Sequence, residues 1–207
     1  MNTNSKFVIT INRELGSGGR TVGRKLAEKL GVAFYDKAVI KSLEERYNLS
    51  AEQIENLKGQ ETGWWAEFKR KLTFSESDYD LNQTGIETED VFRAEAQLLK
   101  TIAHEESCVI TGRSAFHVLR NHPNHLSILI QASMPSRIAR VMKEQNMSED
   151  EARKTIEKVD KMRENYVREF TGTSRYDTRN YQLVLCMDEM TEEAAVRIIM
   201  EYIKSTN

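Results

Sequence analysis

The chain has 207 residues, of which 30 are basic and 32 acidic, so its formal net charge is only −2. This balance excludes a general electrostatic attraction to nucleic acid or to an anionic membrane surface. No apolar run approaches the roughly 20 residues needed to cross a bilayer, and the polar start of the chain is unlike a signal peptide. We therefore expect one domain, residues 1–207, that is cytoplasmic and binds neither nucleic acid nor membrane.

The most informative segment is Phe7–Thr21, in which β-prone residues lead into a glycine-rich turn and then into an amphipathic helix. A strand that enters a helix through glycines directs several backbone N–H groups at one point, beside the positive end of the helix dipole. The standard phosphate-loop pattern is absent, because a lysine at Arg20 would need the first glycine at Glu14. The loop glycines serve either phosphate binding or only a turn of positive φ: Gly16, Gly18 and Gly19.

Two residue types beside these glycines favour phosphate. Thr21 provides a hydroxyl at the helix start, where it could ligate a magnesium ion. Arg20 or Arg13 could neutralise phosphate oxygens in place of the missing lysine, although a planar guanidinium approaches oxygen differently.

Short apolar runs recur along the chain and alternate with helical periodicity, as buried parallel strands do. The predicted strands are Phe7–Ile11, Val32–Tyr35, Cys108–Ile110, Leu126–Ile130 and Leu183–Cys186. The alternation is typical of an α/β doubly wound sheet, which places ligands outside the carboxyl ends of its strands. Both cysteines, Cys108 and Cys186, fall in strand-like runs and are predicted to be buried, reduced thiols.

Two segments interrupt the alternation. Residues 47–88 contain the pair Trp64-Trp65 and a polar stretch with little periodicity, which indicates an inserted subdomain. Residues 148–180 begin with a capping box, Ser148 with Glu151, and continue as a long charged helix that resembles a lid.

Three further residues are candidates for a ligand site. Arg113, which follows the third predicted strand, either binds an anionic substrate or pairs with a carboxylate. Asp36, at the end of the second strand, either contacts a ligand or caps the next helix. Arg163 falls nearly on the apolar face of the lid helix, so it either faces an anionic ligand or pairs with Asp160.

Taken in order and spacing, these motifs resemble the cytidylate kinase-like family, a divergent branch of the P-loop nucleoside monophosphate kinases. The resemblance covers nearly the whole chain and rests on Ile9-Thr-Ile-Asn with the glycine loop, Phe34-Tyr-Asp36, Val109-Ile-Thr-Gly-Arg113 and Val159-Asp-Lys-Met-Arg163. It implies a P-loop NTPase-like three-layer α/β/α fold with a five-stranded parallel sheet. In that fold, residues 47–88 would be an acceptor-side helical insert and residues 148–180 a lid.

The resemblance also implies an enzyme that transfers the γ-phosphoryl group of ATP, with Mg²⁺, to a nucleoside monophosphate such as CMP or dCMP. The alternative is a catalytically degenerate, nucleotide-binding regulatory protein, and a homodimer stays open. Where the pattern of true cytidylate kinases has the loop lysine, this chain has Gly19, and Ser114 stands where an acidic residue usually follows Gly-Arg. These departures leave another nucleotide, or a small phosphorylated metabolite, open as the acceptor.

Site residues are carried over from the family by position. The residues implied to hold ATP are Gly16, Ser17, Gly18, Gly19, Arg20 and Thr21, with Thr21 also on the metal. Arg20 and Arg163 are the implied catalytic residues. The implied acceptor-binding residues are Asp36 and Arg113, with Lys161 and Arg168 as substitutes for missing lid arginines.

Overall fold

The computed structural model describes residues 1–36 and 89–206. The predicted insert, residues 47–88, lies outside the described residues, and so do Trp64 and Trp65. In chain order the described elements are β1 (Val8–Arg13), α1 (Gly19–Leu30), β2 (Ala33–Tyr35), α2 (Glu89–Glu105), β3 (Cys108–Thr111), α3 (Ala115–Val118), β4 (His125–Gln131), α4 (Met134–Gln145), α5 (Glu149–Thr171), a 3₁₀ turn (Thr178–Asn180), β5 (Leu183–Cys186) and α6 (Glu192–Ser205). All the strands predicted from apolar runs are present, with ends shifted by at most two residues.

The described strands form one parallel, five-stranded sheet in the order β2-β3-β1-β4-β5. The central strand is β1, in which Val8 is in register with Cys108 on one side and with His125 on the other. The connection after β1 leads to β2 and the connection after β3 leads to β4, so the two run in opposite directions along the sheet. The crevice that such sheets use for ligands therefore lies between the carboxyl ends of β1 and β3.

Apolar side chains cover both faces of the sheet. On one face, Ile9 and neighbouring strand residues pack against α1 and α6, which contribute Leu26 and Ile199. On the other face, Val8 packs with α2, which contributes Leu98 and Ile102. Because successive residues of a strand point to opposite faces, the continuous apolar run of β1 supplies both layers. The result is the predicted three-layer α/β/α arrangement.

The two cysteines have different environments. Cys108 is buried in β3, as predicted, whereas Cys186 is exposed, so the prediction of a buried thiol is wrong at that position. The reason is that β5 is an edge strand, and only Leu185 of its four residues is buried. The Cys186 thiol lies 3.3 Å from Asp188 Oδ2, to which it donates a hydrogen bond.

The capping box at the start of α5 is confirmed. The Ser148 hydroxyl accepts a hydrogen bond from the Glu151 N–H, and the Glu151 carboxylate accepts one from the Ser148 N–H at 2.9 Å. The helix begins at Glu149 and packs against α4 through a small apolar cluster that includes Ile138 and Ile156. None of the helices in the described ranges has the length and apolarity required of a membrane span.

Candidate active site

The glycine loop follows β1 at the centre of the sheet and turns through two residues of left-handed conformation. The φ angles are +79° at Gly16 and +80° at Gly18. A Cβ atom at Gly16 would lie 2.8 Å from the Arg137 carbonyl oxygen, and one at Gly18 would lie 3.0 Å from the Arg140 guanidinium. Both positions therefore require glycine, for backbone conformation and for space.

Helix α1 begins at Gly19 with an open N-terminus. The N-cap residue is Gly18, no side chain of the described residues caps the helix, and its first turn contains no acidic residue. The first N–H to bond back along the helix is that of Val22, which donates to the Gly18 carbonyl at 3.0 Å. The N–H groups before it have no acceptor within the helix. Together with the helix dipole, they form a site for an anion at the end of β1.

Ser17 forms hydrogen bonds within the loop. Its hydroxyl donates to the Glu14 carbonyl oxygen at 2.9 Å, and its N–H is directed at the same oxygen at 3.3 Å. The side chain is 1% exposed. Of the residues predicted to hold ATP, Ser17 therefore uses its donors within the loop.

Side chains of α4 and α5 form hydrogen bonds with the first half of the loop. The Asp160 carboxylate accepts a hydrogen bond from the Leu15 N–H at 3.1 Å. The Arg137 Nε donates to the Leu15 carbonyl at 2.8 Å, and its guanidinium forms an ion pair with Asp160. Both charged side chains are buried, with Arg137 5% and Asp160 8% exposed. They connect two helices to one loop residue.

Sequence reasoning missed Arg137, although a signal for it was available. The residue stands beside Ile138 and one turn before Val141, both of which are buried on α4. The argument that singled out Arg163, a charge on an apolar helix face, applies equally to Arg137.

A second buried arginine, Arg175, lies behind the end of β1. Its side chain is 1% exposed and donates to Asn12 Oδ1 at 3.2 Å and to the Arg13 carbonyl. Its Nη1 lies 3.5 Å from Asp160 Oδ1. The nearby Tyr181 hydroxyl donates to the Arg175 carbonyl, and burial raises the pKa of Tyr181 to about 12, so this phenol stays protonated at neutral pH.

Arg13 crosses the crevice between β1 and β3. A Cβ at Gly19 would lie 2.5 Å from Arg13 Cβ, and a Cβ at Gly112 would collide with the Arg13 guanidinium. The side chain therefore runs from the start of α1 to the end of β3, and it is 7% exposed. Arg13, one of the two predicted substitutes for the loop lysine, carries its charge at the switch point of the sheet.

The other predicted substitute, Arg20, is paired with Asp36. Arg20 Nε and Nη2 donate to Asp36 Oδ2 at 2.8 Å and 2.6 Å. Asp36 follows β2 and is 4% exposed. The structure thus brings together two predicted site residues that the sequence analysis treated separately.

Arg113 is paired with a carboxylate, which is one of its two predicted outcomes. The partner is Glu95 on α2, and the two side chains are 6% and 5% exposed. The Arg113 guanidinium also lies 5.1 Å from the ring centroid of Tyr166, whose hydroxyl donates to Glu95 Oε2 at 2.7 Å. Sequence reasoning missed Glu95, which lies among buried apolar residues of α2.

Of the three basic residues predicted for the site on the lid helix, Arg163 contacts the end of β1. Its Nη1 donates to the Arg13 carbonyl at 3.4 Å and lies 3.9 Å from Asp160 Oδ1, so the predicted local pair is the more distant of the two contacts. Lys161 is exposed. Arg168 is exposed as well and pairs with Glu164 at 3.0 Å.

Thr21 fits the requirements of a magnesium ligand that acts with a bound nucleotide. It is the third residue of α1 and is half-buried beside the open N-terminus. Within residues 1–36 and 89–206 there is no cluster of three or more His, Cys, Asp or Glu that could hold a metal by itself. Mg²⁺ in phosphate-transfer sites keeps several water ligands and also takes substrate phosphate oxygens, so the Thr21 hydroxyl would supply one protein oxygen to such an ion.

The sheet order and the loop after β1 define a P-loop NTPase-like α/β fold, and known structures agree. An uncharacterised protein from Eubacterium ventriosum ATCC 27560 superimposes with a TM-score of 0.73 at 24% identity, over 97% of this chain and 99% of that chain. Shikimate kinase from Bacteroides thetaiotaomicron gives 0.52 at 17% identity over 96% and 98% of the two chains. Shikimate kinase from Acinetobacter baumannii, in complex with shikimate, gives 0.53 at 14% identity over 100% and 99%.

The sequence pattern of the cytidylate kinase-like family matches residues 8–189, and the chain belongs to that family. The match confirms the predicted resemblance and makes this a nucleotide kinase-like protein. A comparison with curated proteins found no match.

Proposed function

We propose that this protein transfers the terminal phosphoryl group of ATP to a nucleoside monophosphate in the presence of Mg²⁺, with CMP and dCMP as the first acceptors to test. The observation that carries the proposal is the open N-terminus of α1, which follows the glycine loop at the end of the central strand. Family membership supports the same assignment.

In this proposal the donor phosphates bind the backbone N–H groups from Gly18 to Thr21. The Thr21 hydroxyl would hold Mg²⁺, which would neutralise charge on the phosphate oxygens. Arg13 adds positive charge in the crevice between β1 and β3, where the transferring group would lie. Phosphoryl transfer requires mainly positioning and charge stabilisation, and this site offers both without a nucleophilic side chain.

The acceptor would bind at the ends of β2 and β3, near Asp36 and Arg113. Both residues are already in ion pairs, with Arg20 and with Glu95. An acceptor phosphate that uses Arg113 would therefore compete with Glu95 or join it at the same guanidinium. The closed pair keeps the Arg113 side chain in place before substrate arrives.

These ion pairs also favour a second candidate function, a nucleotide-binding regulatory protein without turnover. Asp36 neutralises Arg20, the residue proposed to replace the loop lysine, at distances of 2.6 Å and 2.8 Å. An arginine that is held in this way contributes less to the developing charge of a transferring phosphoryl group. The open N-terminus of α1 would still bind phosphate.

The test is a coupled assay with ATP, Mg²⁺ and a panel of nucleoside monophosphates, combined with calorimetric titration of ATP. For the kinase, we expect turnover of a pyrimidine monophosphate, and we expect Thr21→Val to lower kcat/KM by about 10²-fold because it removes a ligand of the charge-neutralising metal. Thr155→Val, at a half-buried threonine of α5, is the matched control and should leave kcat/KM unchanged.

Other outcomes separate the candidates. ATP binding with no turnover of any monophosphate would favour the regulatory protein. If ATP does not bind at millimolar concentration, both candidates are wrong.

A further inference from the structure

We infer that Asp160 of α5 is a positioning residue: it holds the phosphate-binding loop in one conformation and thereby sets the affinity for the donor nucleotide. The inference rests on the proposed function, because it concerns the same loop. It assigns to α5 a part in the donor site that does not depend on any movement of a lid.

The Asp160 carboxylate contacts three parts of the chain outside its own helix. One carboxylate oxygen accepts the Leu15 N–H at 3.1 Å, and the other is paired with Arg137 of α4. The first oxygen also lies 3.5 Å from Arg175 Nη1, beyond the end of α5. A single side chain thus connects the loop, α4 and the segment that follows α5.

Charged side chains bind both backbone polar groups of Leu15. Asp160 accepts its N–H, while Arg137 Nε donates to its carbonyl at 2.8 Å. Both polar groups of this peptide position are therefore bonded to charged side chains, and the Leu15 side chain is 1% exposed. Hydrogen bonds to ionised groups are shorter and about twice as strong as neutral ones.

Leu15 lies at the start of the glycine loop. It directly precedes Gly16, whose φ is +79°, and the second left-handed residue, Gly18, is the N-cap of α1. Glycines lose the most conformational freedom when they are ordered, so a fixed residue before them limits the directions that the following N–H groups can take. Donors that are already oriented bind an anion without the cost of ordering them.

A second carboxylate, that of Glu14, also connects the start of the loop to other parts of the chain. Its Oε2 accepts the Ala132 N–H at 3.1 Å, and its Oε1 lies 3.4 Å from Arg137 Nη1. Arg137 is therefore shared by Glu14 and Asp160. Loss of the Asp160 carboxylate would leave Arg137 with Glu14 and the Leu15 carbonyl, and would leave the Leu15 N–H without a charged acceptor.

The variant Asp160→Asn tests the inference by steady-state kinetics and by calorimetric titration with Mg-ATP. We expect KM and Kd for ATP to rise about ten-fold, because the amide leaves only a neutral hydrogen bond to the Leu15 N–H and cannot pair with the Arg137 guanidinium. The KM for the acceptor should change by less than about two-fold, since the contact acts on the donor loop. Glu157→Gln, which removes an exposed carboxylate from the same helix, is the matched control and should keep the wild-type Kd.

A purely structural role for Asp160 makes a different prediction. In that case Asp160→Asn lowers the free energy of unfolding, but the folded fraction binds ATP with the wild-type Kd, and that result would overturn the inference. Should Asp160→Asn fail to fold, we expect the double variant Arg137→Gln/Asp160→Asn to fold, because it removes both members of the buried ion pair. We expect that protein to retain the weakened ATP binding, and wild-type affinity in it would also overturn the inference.

Amide hydrogen exchange separates the inference from the proposed function. If the wild-type protein binds no ATP, the proposed function is wrong, whereas the loop-fixing role of Asp160 can still be measured at Leu15 and Gly16. We expect exchange at these amides to accelerate at least ten-fold in Asp160→Asn and to stay unchanged in Glu157→Gln. Equal exchange in the wild type and in Asp160→Asn refutes the positioning role.

Discussion

At the scale of single residues, the candidate site is built from buried charges that are paired across elements. Arg113 pairs with Glu95, Arg20 with Asp36, and Arg137 with Asp160, and all six side chains are at most 12% exposed. Buried ion pairs add little net stability over apolar residues of similar volume, but loss of one partner leaves an uncompensated charge. These residues therefore constrain geometry more than they stabilise the fold.

Glu95→Gln tests the energetics of one such pair. We expect the free energy of unfolding to fall by about 3 kcal/mol, because the buried Arg113 guanidinium would lose its ion pair with the Glu95 carboxylate. Urea denaturation at pH 7 measures the change. The control is Glu89→Gln on the same helix, whose ion pair with Arg93 is exposed and should contribute nothing measurable.

A second comparison shows whether the effect comes from the charge. The double variant Glu95→Leu/Arg113→Met replaces the pair with apolar side chains and should recover most of the lost stability. If the double variant is as unstable as Glu95→Gln, packing around α2 and not the lost ion pair explains the lower stability.

The sequence predicted which residues lie at the strand ends, but not their partners. Arg113 and Asp36 could be placed because they directly follow apolar runs that form buried strands. Glu95, the partner of Arg113, and Asp160, the partner of Arg137, could not be assigned in the same way, since nothing local indicates that a carboxylate on α2 or α5 faces the end of another strand. Such pairings are set by the packing of helices on the sheet, which sequence periodicity does not fix.

At the scale of elements, α1 approaches the sheet closely at one glycine. A Cβ at Gly23 would lie 2.8 Å from Thr111 Cγ2 and 3.0 Å from Phe34 Cε2. Gly23 is buried, and so are Leu26 and Ala27, which lie one turn away on the same face of α1. This close approach places the start of α1 directly against the ends of β2 and β3.

Gly23→Ala should therefore destabilise the protein, although alanine favours helix. We expect a loss of about 1–3 kcal/mol from overpacking, which exceeds the gain of about 1 kcal/mol in helix propensity. Denaturation by guanidinium chloride, with an unchanged m-value, measures it. Lys29→Ala, at an exposed site of α1, serves as the control, and an increase in stability for Gly23→Ala would contradict the close approach.

Element positions were largely predictable because buried parallel strands have an unmistakable apolar run. The start of α5 was likewise indicated by the Ser148–Glu151 capping box. What α5 contacts was not predictable, and the sequence suggested a lid where the structure also shows a fixed connection to the loop. The lid role of residues 148–180 stays a prediction.

At the scale of the whole molecule, stability should depend on pH through a half-buried histidine, His125. His125, at the start of β4, is hydrogen-bonded to Thr10 Oγ1 at 2.7 Å. Burial and the nearby His122 lower the pKa of His125 from 6.5 to about 4, partly opposed by the Leu119 backbone. The imidazole is therefore neutral in the folded protein at pH 5, whereas the unfolded chain binds a proton there.

The sign of the effect follows from this difference. The stability contributed by neutral His125 is complete above pH 6.5 and is lost as the pH falls toward 4. Between pH 7 and pH 5 we expect the free energy of unfolding to fall by about 2 kcal/mol from this group. Urea denaturation at the two pH values measures the fall, and His125→Gln should reduce it.

The control for this prediction is His104→Gln, because the His104 side chain is 85% exposed. That variant should show the same pH dependence as the wild type. A His125→Gln protein that loses as much stability at pH 5 as the wild type would show that other groups govern the acid limb.

Helix α5 touches both halves of the proposed site. Asp160 bonds to the donor loop, and Tyr166, about 9 Å farther along the helix axis, bonds to the acceptor-side carboxylate Glu95. A rigid helix that shifts along or about its axis changes both contacts together. Donor and acceptor would then be thermodynamically linked, so that each changes the binding constant of the other by the same factor.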